Sequence, residues 1–202
     1  LLWDSGQWSQ DFAEKYRKEI NLPFFAFARA DLMNEDIMRL LASAGCQTLS
    51  MSIECGDDET RKQLLNRNMR DEQIIEAHHL ANKYGIKTFT NVILGLPDTP
   101  IITDIKSMEL CARSKVDWME ALIFQPFPGT KLGDDTINKG YFSGELDNLH
   151  SGYHHTSVLN CFDEGRKIAQ VNLTTLGVAG VVLRWKWLRW LIYNHLIYMH
   201  HR

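Results

Sequence analysis

Hydrophobic and polar positions follow two alternating periods along the first 125 residues. In WSQDFAEKYRKEI (8–20), Phe12, Tyr16 and Ile20 recur at helical spacing, and Pro23 ends the segment. The apolar run FFAFAR (24–29) then reads as a short buried strand. Asn34 is a good N-cap, and Glu35 and Asp36 fall in the first turn, where the helix dipole favours acids. That helix is expected to run to Ala44, with Gly45 as its C′ residue. QTLSMSIE (47–54) is the next strand, and Asp57 or Asp58 caps the helical run DETRKQLLNR, which Arg67 ends. Asp71 opens DEQIIEAHHLANKYG and Gly85 stops it. IKTFTNVILG (86–95) is a long strand rich in β-branched residues, a helix covers about 102–114, and DWMEALIF (117–124) is the fourth strand.

Strand and helix thus repeat, and each strand is nearly continuously apolar. This predicts an α/β fold of parallel strands covered by helices, joined by right-handed crossovers. An open doubly wound sheet and a barrel segment both fit. No G-x-G-x-x-G follows any strand, which argues against a dinucleotide-binding unit. Beyond residue 125 the pattern changes: QPFPGTKLGDD is turn-rich, 140–162 is polar and reads as loop, and a helical tail begins near 163. The expected organisation is a core over 1–135, a loop region over 136–162 and a helical extension over 163–202.

The net charge of -3 over 202 residues gives no reason to expect nucleic-acid binding. Cys46, Cys55, Cys111 and Cys161 are scattered and form no C-x-x-C, which excludes a zinc ribbon or a dithiol redox motif. Few cysteines and no signal peptide point to a reducing cytoplasm. His150, His154 and His155 would suit a metal only on a helix, and Gly152 argues against one, so no metal ligand is assigned. His200 and His201 read as a solvated end. In the tail, the uncharged run 168–183 contains Gln, Asn and Thr, so a bilayer span is not expected. The aromatic stretch 171–199, interrupted by Arg184, Lys186 and Arg189, suits a helix packed on the core, its cations reaching water; contact with a membrane surface is the other reading.

In parallel α/β folds, ligands bind at the C-terminal ends of the strands. That rule selects Arg29-Ala30-Asp31, Glu54-Cys55-Gly56, Gly95-Leu96-Pro97 and Gln125-Pro126-Phe127-Pro128. A carboxylate at Glu54 suits an ammonium group, and the bidentate fork of Arg67 suits a carboxylate. If the intervening loop folds back, the two would hold the ends of an amino acid. Asn91 suits a ribose hydroxyl, Gly95 admits a flat ring close to the backbone, and Ile93 would cover one face of that ring. Singly, each has a plainer reading: strand-end charges usually face solvent, and an arginine at a helix C-terminus answers the dipole.

The order of the pieces carries more than any one of them. LPFFAFARADLMNEDIMRLLASAGC, SMSIECGDDETRKQLLNR, GIKTFTNVILGLPDT and FQPFPGTKL occur in the order and spacing of the radical S-adenosylmethionine (SAM) superfamily. The chain resembles the branch that holds cobalamin-binding members, methylthiotransferases and oxygen-independent coproporphyrinogen oxidase. The resemblance covers about residues 8–135 and implies a partial (βα) barrel with SAM lying across the strand ends. By the same resemblance, Glu54 faces the amino-acid moiety of SAM and Arg67 its carboxylate. Asn91 faces the ribose, and Ile93 the adenine. The backbone at Phe124 and Gln125 borders the adenine, and Arg29 lies near the methionyl group.

The family cofactors implied are SAM, a [4Fe–4S] cluster and, in one subclass, cobalamin, with flavodoxin or ferredoxin as electron donor. In the family, reductive cleavage of SAM yields a 5′-deoxyadenosyl radical that takes a hydrogen atom from the substrate. The family's C-x-x-x-C-x-x-C is absent here, and Cys55 stands where Ser is common. Since Leu1-Leu2-Trp3 does not resemble a start, the expectation is the later part of a core whose cluster ligands lie outside this chain. No catalytic residue is assigned. The alternative is a noncatalytic binding or assembly module built on a degenerate barrel.

Overall fold

The computed structural model describes residues 6–199; the start at Leu1-Leu2-Trp3 and the terminal His200 and His201 lie outside the described residues. Helix α1 (Gln7–Glu19) sets Phe12 against Tyr16 and turns both rings edge-on to Phe24, at 6.1 and 4.9 Å between centroids, at the head of strand β1 (Phe24–Phe27). Asn34 caps α2 (Glu35–Ala44) by accepting the Ile37 N–H at 3.0 Å, and Gly45 ends it at φ 97°. Strand β2 (Cys46–Ser50) leads to α3 (Asp58–Gln63), which Asp57 caps through the Thr60 N–H. Then come α4 (Asp71–Lys83), β3 (Lys87–Leu94), α5 (Ile101–Arg113) and β4 (Trp118–Ile123).

The four strands are parallel and lie in sequence order β1-β2-β3-β4, as expected of consecutive right-handed βα units. Phe27, Ser50, Phe89 and Trp118 form one row across the sheet, so their side chains share a face. Farther along, Asn91 pairs with Glu120, and Ile93 with Leu122, on that same face. The opposite face (Ala26, Leu49, Val92, Leu94, Met119, Ala121) is fully covered and joins the helices in the core. The first face is open at its edges, where Phe27 is 72% exposed and Trp118 62%, while Ser50 between them is buried. This is a curved sheet with helices on one side only, a segment of a (βα) barrel rather than a doubly wound sheet.

Three local features differ from the sequence reading. Helix α3 ends at Gln63, so Arg67 lies beyond it; Leu64 caps the helix and Asn66 takes a left-handed turn at φ 51°. The turn-rich stretch after residue 125 contains a helix, α6 (Lys131–Asn138), which Thr130 caps through the Gly133 N–H. Gly133 is needed there because a Cβ would come within 2.0 Å of the Phe127 carbonyl oxygen.

The third difference concerns the tail. Helix α7 (Glu164–Asn172) continues through a π-helical turn at 173–177 into α8 (Val178–Val182). This continuous helix packs on α5 and on the covered face of β4, burying Ala169, Leu173 and Val181. It is the helix that completes the β4 unit. Only α9 (Lys186–Asn194) lies outside that layer, burying Ile192 and Tyr193 and leaving Trp187 and Trp190 more than 60% exposed. Among the described residues no helix is long and apolar enough to cross a membrane.

Candidate functional site

The strand ends gather most of the selected residues. After β2 the chain continues extended until Glu54, whose N–H bonds the Asn91 carbonyl at 2.9 Å while its own carbonyl accepts the Ile93 N–H at 2.7 Å. Glu54 holds a left-handed φ of 66°, uncommon for a residue with a side chain. Strain of this kind persists only where surrounding bonds fix it, and the two bonds to β3 do so.

The loop after α3 does fold back. Its anchor is Arg61, completely buried, which sequence reasoning did not single out. Arg61 Nη1 donates to the Cys55 carbonyl at 2.6 Å, Nε and Nη2 to the Met69 carbonyl at 3.0 and 2.6 Å, and Nη2 to Asp71 at 3.1 Å and to Asp58. One guanidinium thus ties the residue after Glu54 to the residue two beyond Arg67. As a result Arg67 Nη2 lies 2.9 Å from Glu54 Oε1, in a half-buried ion pair. Burial raises the Glu54 pKa above the ordinary carboxylate value, against the pull of Arg67.

Beside this pair, Asn91 stands on the open face, and its Oδ1 is buried with no hydrogen-bond partner. An orphaned buried acceptor is uncommon and marks a place where a donor fits. Ile93 is half-buried on the same face, two residues on. Gly95 turns the chain at φ 69°, giving its N–H to Asp104 at 3.0 Å. The Phe124 N–H bonds the Leu94 carbonyl at 2.9 Å, which sets the β4 end beside that turn. Gln125 donates to the His150 and Gly152 carbonyls at 3.1 and 2.8 Å, and the Ile123 N–H reaches the Tyr153 carbonyl at 2.7 Å. Segment 150–153 is thereby built onto the free edge of β4.

Arg29 stands apart. Its guanidinium makes a two-pronged contact with Asp31, at 2.9 and 3.1 Å, on the exposed end of β1. The hydrogen bond and charge of Asp31 raise its pKa, and the structure gives it no contact with Glu54 or Asn91. His154 lies 3.6 Å from Glu120, and His150 lies against the His155 ring. Among the described residues no group of three His, Cys, Asp or Glu side chains could hold a metal ion. Cys55 is buried, and burial raises its thiol pKa, which leaves it a packed, weakly reactive group.

The residues present fit SAM on one side: a carboxylate and a guanidinium within reach of an α-amino acid, an unpartnered amide oxygen for a hydroxyl, and a glycine turn for a flat base. They do not fit an iron–sulfur cluster. Cys46, Cys55 and Cys111 are separately buried, Cys161 lies on the surface, and among the described residues no group of side chains is set to hold a metal.

Over 128 residues the chain is 23% identical to an uncharacterized methyltransferase of Pyrococcus horikoshii, which covers 63% of this chain and 28% of the relative. The chain therefore spans little more than a quarter of that relative's length. Among solved structures it resembles the radical SAM methyltransferase TsrM of Kitasatospora setae, solved with cobalamin and a [4Fe-4S] cluster bound. That match has a TM-score of 0.58 at 15% identity and covers 65% of this chain and 27% of the other. The radical SAM coproporphyrinogen III oxidase of Escherichia coli gives a TM-score of 0.54 at 19% identity, over 62% and 30% of the two chains. At these identities the structural likeness speaks to the fold. The family model of the radical SAM superfamily matches residues 9–110, half of the chain, and with it the chain belongs to the radical SAM superfamily.

Proposed function

We propose that this chain forms the SAM-holding face of a radical SAM enzyme, with Glu54 and Arg67 receiving the amino-acid end and Asn91, Ile93 and Gly95 the adenosyl end. The observation that carries the reading is the half-buried Glu54–Arg67 ion pair beside the unpartnered Asn91 oxygen. An amino-acid zwitterion matches both members of that pair, its ammonium on the carboxylate and its carboxylate on the guanidinium fork. Because Glu54 is partly desolvated, an incoming ammonium stabilises it more than it would in water. The segment at Phe124 and Gln125 borders the base, and the loop built on β4 limits access of water.

When bound, SAM supplies methyl- or radical-transfer chemistry; the protein's part is to orient it and to exclude water. The fold likeness to TsrM, solved with cobalamin bound, supports a cobalamin-binding subclass, with the cluster held by another part of the protein and reduced by a flavodoxin or ferredoxin. Arg29, paired with Asp31, takes no part in the first contacts of this reading.

Equilibrium dialysis of the intact protein against SAM tests it, with free methionine and 5′-methylthioadenosine as competitors. Both competitors are expected to displace SAM, because the two halves of the ligand use different residues. Competition by neither would point instead to a noncatalytic barrel module.

A further inference from the structure

Gly95 is held from the helix side of the sheet, away from the face proposed for the ligand. Asp104, in the first turn of α5, is 1% exposed. Its Oδ1 accepts the Gly95 N–H at 3.0 Å, and its Oδ2 accepts from Arg166 Nη2, on α7, at 2.9 Å. The Arg166 guanidinium rests 5.2 Å from the centre of the Phe162 ring. One helical turn on, Gln170 is fully buried and lies against Gly95, where a Cβ would come within 2.9 Å of its Nε2. Neither amide atom of Gln170 has a partner, nor does Arg166 Nε. Two polar side chains of α7, at i and i+4, thus bear on one glycine, Arg166 through Asp104 and Gln170 directly.

Packing alone does not call for this arrangement. A buried ion pair is often no more stabilising than apolar residues of the same volume, and a buried amide without partners is unfavourable. What polar groups provide is direction: the Asp104 bond fixes the orientation of the peptide before Gly95, and Gln170 limits how far the turn can move back. The turn follows directly on Asn91 and Ile93, on the face proposed for the adenosyl group. Helix α7 lies beyond residues 9–110, so the family match does not include it.

We infer that Asp104, Arg166 and Gln170 form a positioning clamp that holds the Gly95 turn in the shape that receives the adenosyl end of SAM. Ligand affinity is thereby set in part by a helix that never touches the ligand. The inference rests on the SAM reading of the site.

The test uses the intact protein and S-adenosylhomocysteine as the probe. Two quantities are measured: its Kd, and hydrogen–deuterium exchange at the Gly95–Leu96 amides. The double variant Asp104→Asn/Arg166→Met removes both charges together, so no lone charge stays buried. It is expected to bind about tenfold more weakly, the loss of roughly one charged hydrogen bond, with faster exchange at the turn. Arg166→Lys, which keeps the charge, is expected to restore much of both. Gln170→Met keeps the volume and removes the unpartnered amide. It is expected to melt no lower than wild type yet to bind more weakly, a split that a purely structural role does not produce. Unchanged exchange in the double variant, or faster exchange with unchanged Kd in all three variants, overturns the clamp. Failure of the wild type itself to bind S-adenosylhomocysteine overturns the SAM reading and the clamp with it, and is told apart by that control. If the double variant does not fold, equal affinity and equal melting in Gln170→Met overturn the clamp.

Discussion

Arg61 and Glu54 show how single residues place this site. Arg61 has no exposed surface, and its guanidinium satisfies the Cys55 and Met69 carbonyls and the Asp71 carboxylate together. Removing it leaves buried acceptors unpaired, and Arg61→Met is expected to cost about 3–5 kcal/mol in urea unfolding. A loss under about 1 kcal/mol would show that water replaces the side chain. Two other buried groups titrate in opposite senses. His78 is fully buried, and burial lowers its pKa from 6.5 to about 4. The unfolded chain therefore takes up that proton first, and stability from this group is lost as pH falls from 6.5 towards 4. Asp104 is raised by burial from 3.8 to about 6, against the pull of Arg166, so its contribution is gained over an overlapping range as pH falls. The two partly cancel. His78→Leu is expected to remove an acid-side loss of about 3 kcal/mol and leave the Asp104 gain unopposed, so that the variant gains stability relative to wild type as pH falls from 6.5 to 4. Parallel curves for variant and wild type would contradict this. Glu54, Asn91 and Gly95 were legible because strand ends can be read from a sequence. Arg61, Asp104 and Gln170 were not, because their burial depends on segments far apart in the chain.

At the scale of elements, the strands and the helices between them followed from periodicity, N-cap and C′ residues, as Asn34 and Gly45 illustrate. Helix α6 escaped notice because its glycine and its preceding Pro-Gly-Thr resemble a turn; what permits the helix is the Thr130 cap and the lack of room for a Cβ at Gly133. Helix α3 was read too long, because the return of Arg67 needs a left-handed residue at Asn66 that composition does not announce. Close approach between elements makes one further prediction. Gly56 N–H donates to Ser107 Oγ at 2.8 Å, and a Cβ at Gly56 would stand 2.3 Å from the Lys106 carbonyl oxygen, which is backbone and cannot rotate away. Gly56→Ala is therefore expected to push the end of the β2 segment off α5, at a cost of roughly 1–3 kcal/mol of overpacking. It is also expected to weaken SAM binding, since Glu54 moves with that segment. A variant with wild-type melting temperature and affinity would mean that the two elements separate freely.

On the scale of the whole molecule, four βα units form a sheet with one face closed by helices and the other open at Phe27 and Trp118. Periodicity alone distinguished parallel α/β from other classes and left barrel and doubly wound sheet open, since both place apolar strands between helices; the order of the family-like segments pointed to a partial barrel, and the sheet with one covered face agrees. That α7 and α8 complete the β4 unit was also hidden, because 40 residues of loop and short helix separate them from the strand they cover. The central claim remains the division of labour between Glu54 and Arg67 over an amino-acid end. Its most direct test is the affinity of the intact protein for SAM in wild type and in Arg67→Ala, with circular dichroism to confirm the fold. A loss of tenfold to a hundredfold is predicted, the worth of a charge-assisted pair; affinity within twofold of wild type would contradict the assignment of Arg67 and the account built on it.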